Sequence, residues 1–298
     1  MLGSGAHETR GCCRAVAMLS GLHTGPKDAP SVVFLHGGGL TGRSFQPVAD
    51  RLPEFHCFLP DLPGHGLSRQ LPFQGLRAAA DAVSEVIADQ MPTPVHLVGL
   101  SLGGFVALHL MARRRTLVAS ALISGVHAGN MRHIGLVNLA IRLSYPAMRI
   151  KALRDASARA NGVHQTDLMS DTDGQPHASP KTVRDVGLAA VKFRLQALSG
   201  PIHHPTLFVA GQNELRPIRE ALPIFQSVVP GAQAGVIAQG GHGWCLGWPD
   251  LAAALVRAWI SDRTLPVWLH PSHQVPMPAS SPQHARKPPE TEQRKASP

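Results

Sequence analysis

Pro94-Val-His-Leu-Val98 runs directly into Gly99-Leu100-Ser101-Leu102-Gly103, and an amphipathic stretch from Leu102 to Arg114 follows. The first segment is a short apolar run of the kind shown by a strand buried on both faces, and the last has the length of a helix. The pentapeptide between them has the G-x-S-x-G pattern, a sharp strand-to-helix turn that lifts a serine to the exposed end of the sheet. Gly99 and Gly103 fit that turn because a Cβ at either place would collide with neighbouring backbone. Taken alone, the five residues fit equally well a serine in a βα loop that caps the following helix.

The same alternation extends in both directions. Apolar runs at Ser31-Val-Val-Phe-Leu35, Phe55-His-Cys-Phe-Leu59, Leu117 to Ser124, Pro205-Thr-Leu-Phe-Val-Ala210 and Ala232 to Ala238 are bounded by proline or glycine. Helices are expected over 44–52, 75–90, 102–114, 217–228 and 249–262, with Pro217 and Pro249 suited to a first helical turn. Strands alternating with helices specify an α/β fold on a mostly parallel, doubly wound sheet. Residues 126–200 break the pattern. They hold no strand-like run, and helical stretches are expected at roughly 131–160 and 181–199 around a polar tract, with Pro146 kinking or ending the first. An insertion of about 75 residues is too long for a loop and reads as a helical cap placed after the 117–124 strand. Residues 1–14 and the 264–298 tail, which holds eight prolines, are expected to be disordered. That leaves 15–263 as one domain.

Composition narrows the function classes. The 298 residues are 44% hydrophobic and 16% charged, too apolar for a disordered chain. The longest clean apolar runs, such as Leu117 to Ile123, fall far short of the roughly 20 residues a membrane helix needs, so stable membrane insertion is not expected. The net charge of +9 invites a nucleic-acid reading, but one Tyr and nine Phe offer little surface for stacking bases. The charge is also concentrated: residues 126–200 carry ten Lys/Arg against five Asp/Glu. Nucleic acid is therefore not an expected partner. Cys12 and Cys13 are adjacent, and Cys57 and Cys245 lie far apart, which is no disulfide framework. Seventeen histidines include no Cys/His cluster at zinc spacing. Arg10 and Arg14 precede a short apolar run that no convincing cleavage site follows, so a reduced, cytoplasmic protein is expected.

Two further segments give the serine its context. His36-Gly37-Gly38-Gly39 follows the first of these strands, and Asp61-Leu-Pro-Gly-His-Gly-Leu-Ser68 follows the next as a tight loop. In this order, over residues 28–262, the three motifs resemble the α/β-hydrolase superfamily, specifically its single-domain, cap-bearing, esterase-like branch. The resemblance implies a sheet of the α/β-hydrolase type and a triad in the order Ser, acid, His. Gly211-Gln-Asn-Glu214 stands at the acid's place and Gly240-Gly241-His242-Gly243-Trp244 at that of the base, so the implied triad is Ser101, Glu214 and His242. Glu214 departs from the commoner Asp. Glu220 competes for the role but is expected inside a helix, facing solvent. The implied oxyanion donors are the N–H groups of Gly38 and Leu102, with Gly39 as the alternative to Gly38. His36 and His65 are expected to bond loop backbone near the site, and the His203-His204 pair lacks a third metal ligand.

The expected activity is that of a serine hydrolase cleaving a carboxylic ester or lactone of a small-molecule acyl substrate through an acyl-enzyme. Acyl transfer, amide hydrolysis, or a non-catalytic or single-turnover ligand-binding role on the same fold are the alternatives. No cofactor is expected, since the glycines form neither G-x-G-x-x-G nor a motif ending in G-K-[ST]. Arg132, Arg142, Arg149 and Arg154 of the cap are candidates for attracting an anionic substrate. An apolar face of Ile134, Val137, Ile141, Tyr145 and Met148 reads as cap core or, alternatively, as a membrane-touching surface. Oligomeric state stays open.

Overall fold

The computed structural model describes residues 19–129, 131, 135, 136, 139, 150–160, 176–263 and 265–271. Their strands are β1 (Gly21–Thr24), β2 (Ser31–Leu35), β3 (His56–Pro60), β4 (Val95–Leu100), β5 (Val118–Ser124), β6 (Thr206–Gly211), β7 (Gln233–Ile237) and β8 (Leu269–Pro271). They form one sheet in the order β1-β3-β2-β4-β5-β6-β7-β8. The inner strands from β3 to β7 pair in parallel, while β1 and β8 run antiparallel at the two edges. The helices are α1 (Gln46–Ala49), α2 (Leu76–Gln90), α3 (Leu102–Arg113), α4 (Lys151–Ala160), α5 (Pro180–Lys192), α6 (Arg216–Val228), α7 (Trp244–Gly247) and α8 (Pro249–Ser261). This is the mostly parallel, doubly wound α/β sheet that the sequence pattern specifies.

Successive residues of a strand point to opposite faces, so a strand covered on both sides must be apolar throughout. Val33, Leu35, Leu97, Ile123 and Phe208 feed one core with Val83, Ile87, Val106 and Phe225 from α2, α3 and α6. Val32, Phe34, Val98, Leu122 and Leu207 feed a second core with Val48, Leu255 and Trp259 from α1 and α8.

The edges depart from expectation. The 264–298 tail was expected to lie wholly outside the fold, yet Leu269–Pro271 adds to β7 with Gly235 opposite Pro271. The physical cause is a fitted gap: a Cβ on Gly235 would lie 2.7 Å from Leu269 Cδ2, so the bare glycine admits the buried leucine. β1 went unread because its residues alternate only between exposed and half-buried and give no apolar run.

Between β5 and β6 the described residues carry α4, α5 and a 3-10 turn at Leu195–Ala197. α5 begins at Pro180, after Ser179, whose hydroxyl accepts the Thr182 N–H at 3.1 Å. The helix lies against two loops at the carboxyl end of the sheet. A Cβ on Gly38 would sit 3.0 Å from Val186 Cγ1, and one on Gly64 would sit 2.7 Å from Thr182 Cγ2. Ala178 bridges His65, and the Gly66 N–H donates to the His177 carbonyl at 2.9 Å. Near the end of β5, His127 Nε2 bonds the Ala190 carbonyl at 3.0 Å while Nδ1 accepts the Gly129 N–H at 3.0 Å. Pro146, Arg132, Arg142, Arg149, the apolar face from Ile134 to Met148, Cys12 and Cys13 lie outside the described residues, as do 1–18 and 272–298. Among the described residues no helix is long and apolar enough to cross a membrane.

Candidate active site

The loops that leave the carboxyl ends of β2, β4, β5, β6 and β7 converge where α/β sheets place their ligand crevice. Ser101 stands between β4 and α3 with φ 53° and ψ −111°, a backbone conformation that costs a non-glycine residue on the order of 1–3 kcal/mol. Its surroundings hold that strain. The Ser101 N–H donates to the Ser124 carbonyl at 2.8 Å, the Gly103 N–H to the His36 carbonyl at 3.0 Å, and the Phe105 N–H to the Ser101 carbonyl at 3.1 Å. A Cβ on Gly99 would lie 2.7 Å from the Gly103 carbonyl oxygen, and one on Gly103 would run into the Leu35 carbonyl. Both glycines are therefore required by close approach.

Glu214 and His242 lie on loops laced to one another. The Gln212 N–H donates to the Ile237 carbonyl at 2.9 Å, and the Asn213 N–H to the Gly240 carbonyl at 2.8 Å. Asn213 Nδ2 donates to the Gln239 carbonyl at 3.1 Å, and the Gln239 N–H to Gln212 Oε1 at 2.9 Å. This brings His242 Nδ1 to 2.7 Å from Glu214 Oε1. The carboxylate side chain is 1% exposed and the imidazole 29%. Burial lowers the His242 pKa, but the field of the Glu214 carboxylate and its hydrogen bond outweigh burial, so the net shift is upward. Glu214 Oε2 is buried and, among the described residues, unpartnered.

Gly125, at φ +73°, ties base to nucleophile. A Cβ there would lie 2.8 Å from His242 Cε1 and 3.5 Å from the Ser101 nitrogen, so one bare backbone position touches both. Sequence reasoning missed Gly125. Its signal, a glycine after an apolar strand, is also that of an ordinary strand end.

The 36–40 and 61–68 loops lock together through crossed histidines. The Leu62 N–H donates to His36 Nε2 at 2.9 Å, and the Gly39 N–H to His65 Nε2 at 3.1 Å. Each ring's Nδ1 in turn bonds a carbonyl of its own loop, that of Gly37 at 2.8 Å or of Pro63 at 3.0 Å. Both rings are thus neutral, with the proton on Nδ1. Burial pushes the pKa of each down, well down for His36. Asp61 completes the lock by accepting the Gly42 and Leu67 N–H groups, each at 2.8 Å. Gly39 is thereby committed to the loop. Among the described residues, the N–H groups of Gly38 and Leu102 donate to no backbone or side-chain acceptor.

The competing residues sit elsewhere. Glu220 pairs with Arg216 at 2.6 Å on the solvent side of α6. His204 bonds the Arg115 carbonyl at 2.9 Å, and His203 is exposed. Among the described residues no group of three His, Cys, Asp or Glu could hold a metal ion.

The chain matches the family model described as alpha/beta hydrolase family over residues 32–286. It is 30% identical over 260 residues to the pimeloyl-[acyl-carrier protein] methyl ester esterase of Stenotrophomonas maltophilia strain K279a, covering 78% of this chain and 93% of that protein. A protein of the same description from Chromobacterium violaceum is 48% identical over 92 residues, which are 30% of this chain and 35% of that one. Among solved structures, the esterase of Exiguobacterium antarcticum superposes with a TM-score of 0.68 at 20% identity, covering 82% of this chain and 95% of that chain. The chain belongs to the α/β-hydrolase family.

Proposed function

We propose that this α/β-hydrolase cleaves a carboxylic ester through an acyl-enzyme on Ser101, with His242 as the base and Glu214 as the acid that orients it. The observation that carries the reading is the 2.7 Å bond between His242 Nδ1 and Glu214 Oε1, on a loop that meets the Ser101 elbow across Gly125.

A serine hydroxyl is a weak nucleophile, so His242 Nε2 takes its proton as Oγ bonds the ester carbon. The carbonyl π electrons move onto oxygen, where the Gly38 and Leu102 N–H groups stabilise them; Leu102 opens α3, so the helix dipole adds to its N–H. Collapse breaks the ester C–O bond, and His242 returns its proton to the departing alcohol. Water then repeats the sequence on the acyl-enzyme and releases the acid. Throughout, Glu214 fixes the imidazole tautomer and stabilises the imidazolium without taking its proton.

The shared name of the relatives favours a methyl ester whose acyl chain rides on an acyl-carrier protein. Cys57 and Cys245 are buried and free, which supports a reduced, cytoplasmic setting. Fluorophosphonate labelling followed by a panel of methyl and p-nitrophenyl esters tests the proposal. The expected result is one labelled serine, absent in Ser101→Ala, and multiple turnovers. A single stoichiometric turnover across the panel would favour a ligand-binding protein on this fold.

A further inference from the structure

Triad chemistry depends on the separation of two loops, one carrying the nucleophile and the other the base. Ser124, the last residue of β5, bonds both. Its carbonyl accepts the Ser101 N–H at 2.8 Å, and its Oγ accepts the indole Nε1–H of Trp244 at 2.9 Å. Trp244 follows His242 by two residues and opens α7. Its ring is buried in the core that includes Leu100, Leu122, Val209 and Ile237, which fixes the direction of the N–H. A satisfied indole is not automatic in this core. Trp259 Nε1, in the same cluster, is buried and has no partner among the described residues. The next residue, Gly125, lets the His242 ring close to the strand end.

We infer that the hydrogen bond from the Trp244 indole to the Ser124 hydroxyl is a positioning contact that holds His242 at its working distance from Ser101. The inference rests on the triad proposed above. Neither side chain is a catalytic residue in the proposed triad: the buried hydroxyl of Ser124 accepts the indole N–H, and Trp244 is enclosed in the core. Losing the bond leaves the fold's two cores intact but frees the start of α7 to shift. A misplacement of about 1 Å at reacting groups costs on the order of 100-fold in rate.

The test uses kcat, KM and the pH profile of p-nitrophenyl butyrate hydrolysis for Ser124→Ala, Trp244→Phe, the double variant and Ser124→Thr, with Ser101→Ala alongside. Both single variants are expected to lose about 10- to 100-fold in kcat while KM stays within about threefold. The acid limb of kcat/KM is expected to move to lower pH, because a displaced imidazole loses part of the hold of Glu214. The double variant is expected to lose no more than the worse single one, since both changes break one bond. Ser124→Thr keeps the hydroxyl and is expected to restore most of the rate.

Unchanged kcat and an unmoved acid limb in both single variants would overturn the inference. So would losses that multiply in the double variant, or losses that follow only the unfolded fraction seen by circular dichroism. If Ser124→Ala does not fold, Trp244→Phe decides, since it keeps an aromatic ring in the core and removes the donor, and circular dichroism reports separately what the smaller ring costs in stability. Failure of the triad itself shows separately: Ser101→Ala would then retain activity, whatever the Trp244 variant does.

Discussion

The Gly39 N–H donates to His65 Nε2 at 3.1 Å, and the Leu62 N–H donates back across the gap to His36 Nε2 at 2.9 Å. Each loop thus lends the other a histidine, and each histidine must stay neutral to accept. A protonated ring would turn its acceptor nitrogen into a second donor facing an N–H. This is the cause that the glycine-rich spacing alone does not reveal: the loop proposed to hold the oxyanion is shaped by its neighbour, and the neighbour in turn is bridged to Ala178 before α5.

A dependence of stability on pH follows. The folded pKa values of His36 and His65 lie below the unfolded value, chiefly through burial, so their contribution is present above about pH 6.5. It is lost as pH falls below that value, at up to about 1.4 kcal/mol per pH unit for each ring. His242 has the opposite sign and loses its contribution as pH rises through its elevated pKa. Urea midpoints between pH 7 and pH 5 are expected to fall in the wild type. His36→Ala is expected to cost about 1–3 kcal/mol at pH 7, because it orphans the Leu62 N–H, and to flatten the slope. An equal slope in the variant would place the acid sensitivity on other histidines, such as His127, whose pKa burial also lowers.

Ser101→Ala is expected to keep the fold, since an alanine relieves none of the contacts made by Gly99 or Gly103, and to lower kcat by roughly 10⁴-fold or more. Residual labelling of that variant by fluorophosphonate at one site would assign the nucleophile to another serine.

Glu214→Gln is expected to reduce kcat strongly but less than Ser101→Ala, because the acid orients and stabilises without reacting. Glu214→Asp tests the extra methylene. The loops are fixed by four cross-links, so an aspartate cannot close the distance that gives 2.7 Å, and about 10- to 100-fold should be lost. In the wild type, kcat/KM is expected to rise with pH through a pKa above the ordinary imidazole value of about 6.5, since Glu214 holds the proton on His242. In Glu214→Gln that acid limb should move down. A fixed limb across both enzymes would show that His242 is not the group being titrated.

The loops that carry Ser101, Glu214 and His242 were legible in the sequence because each lies within a few residues of the end of a short, mostly apolar strand. The triad roles of the three residues follow from the resemblance to the α/β-hydrolases in chain order and belong to the proposal. The roles of Gly125, Ser124 and Trp244 were not legible, because the contacts of Ser124 with Trp244 and of Gly125 with His242 join residues more than 100 apart and depend on a close approach that no local pattern encodes. The edge strands escaped for the opposite reason. β1 and β8 are too short to show an apolar run, and they lie where β3 and β7 offer them partners. The upward direction of the His242 shift likewise required the 2.7 Å contact and could not come from the flanking glycines.

The basic insertion gives the remaining prediction. Residues 126–200 carry ten Lys/Arg against five Asp/Glu. Two of those acids are already engaged: Asp155 by Lys151 at 2.8 Å, and Asp185 by Lys181 at 2.8 Å and Arg184 at 2.9 Å. Three of the ten cations stand against these two acids, which leaves seven Lys/Arg and three Asp/Glu in the rest of 126–200, and Arg154 in α4 is one of the seven. A field of this kind speeds the encounter with an anion and fades as salt is added, because the screening length falls from about 10 Å at 0.1 M to about 3 Å at 1 M. An ester bearing a terminal carboxylate is expected to lose several-fold in kcat/KM across that range, while a neutral ester of equal length holds nearly constant. Arg154→Gln is expected to shrink the difference between the two. Equal salt responses for the charged and the neutral ester would leave the insertion's charge as ordinary solvated surface.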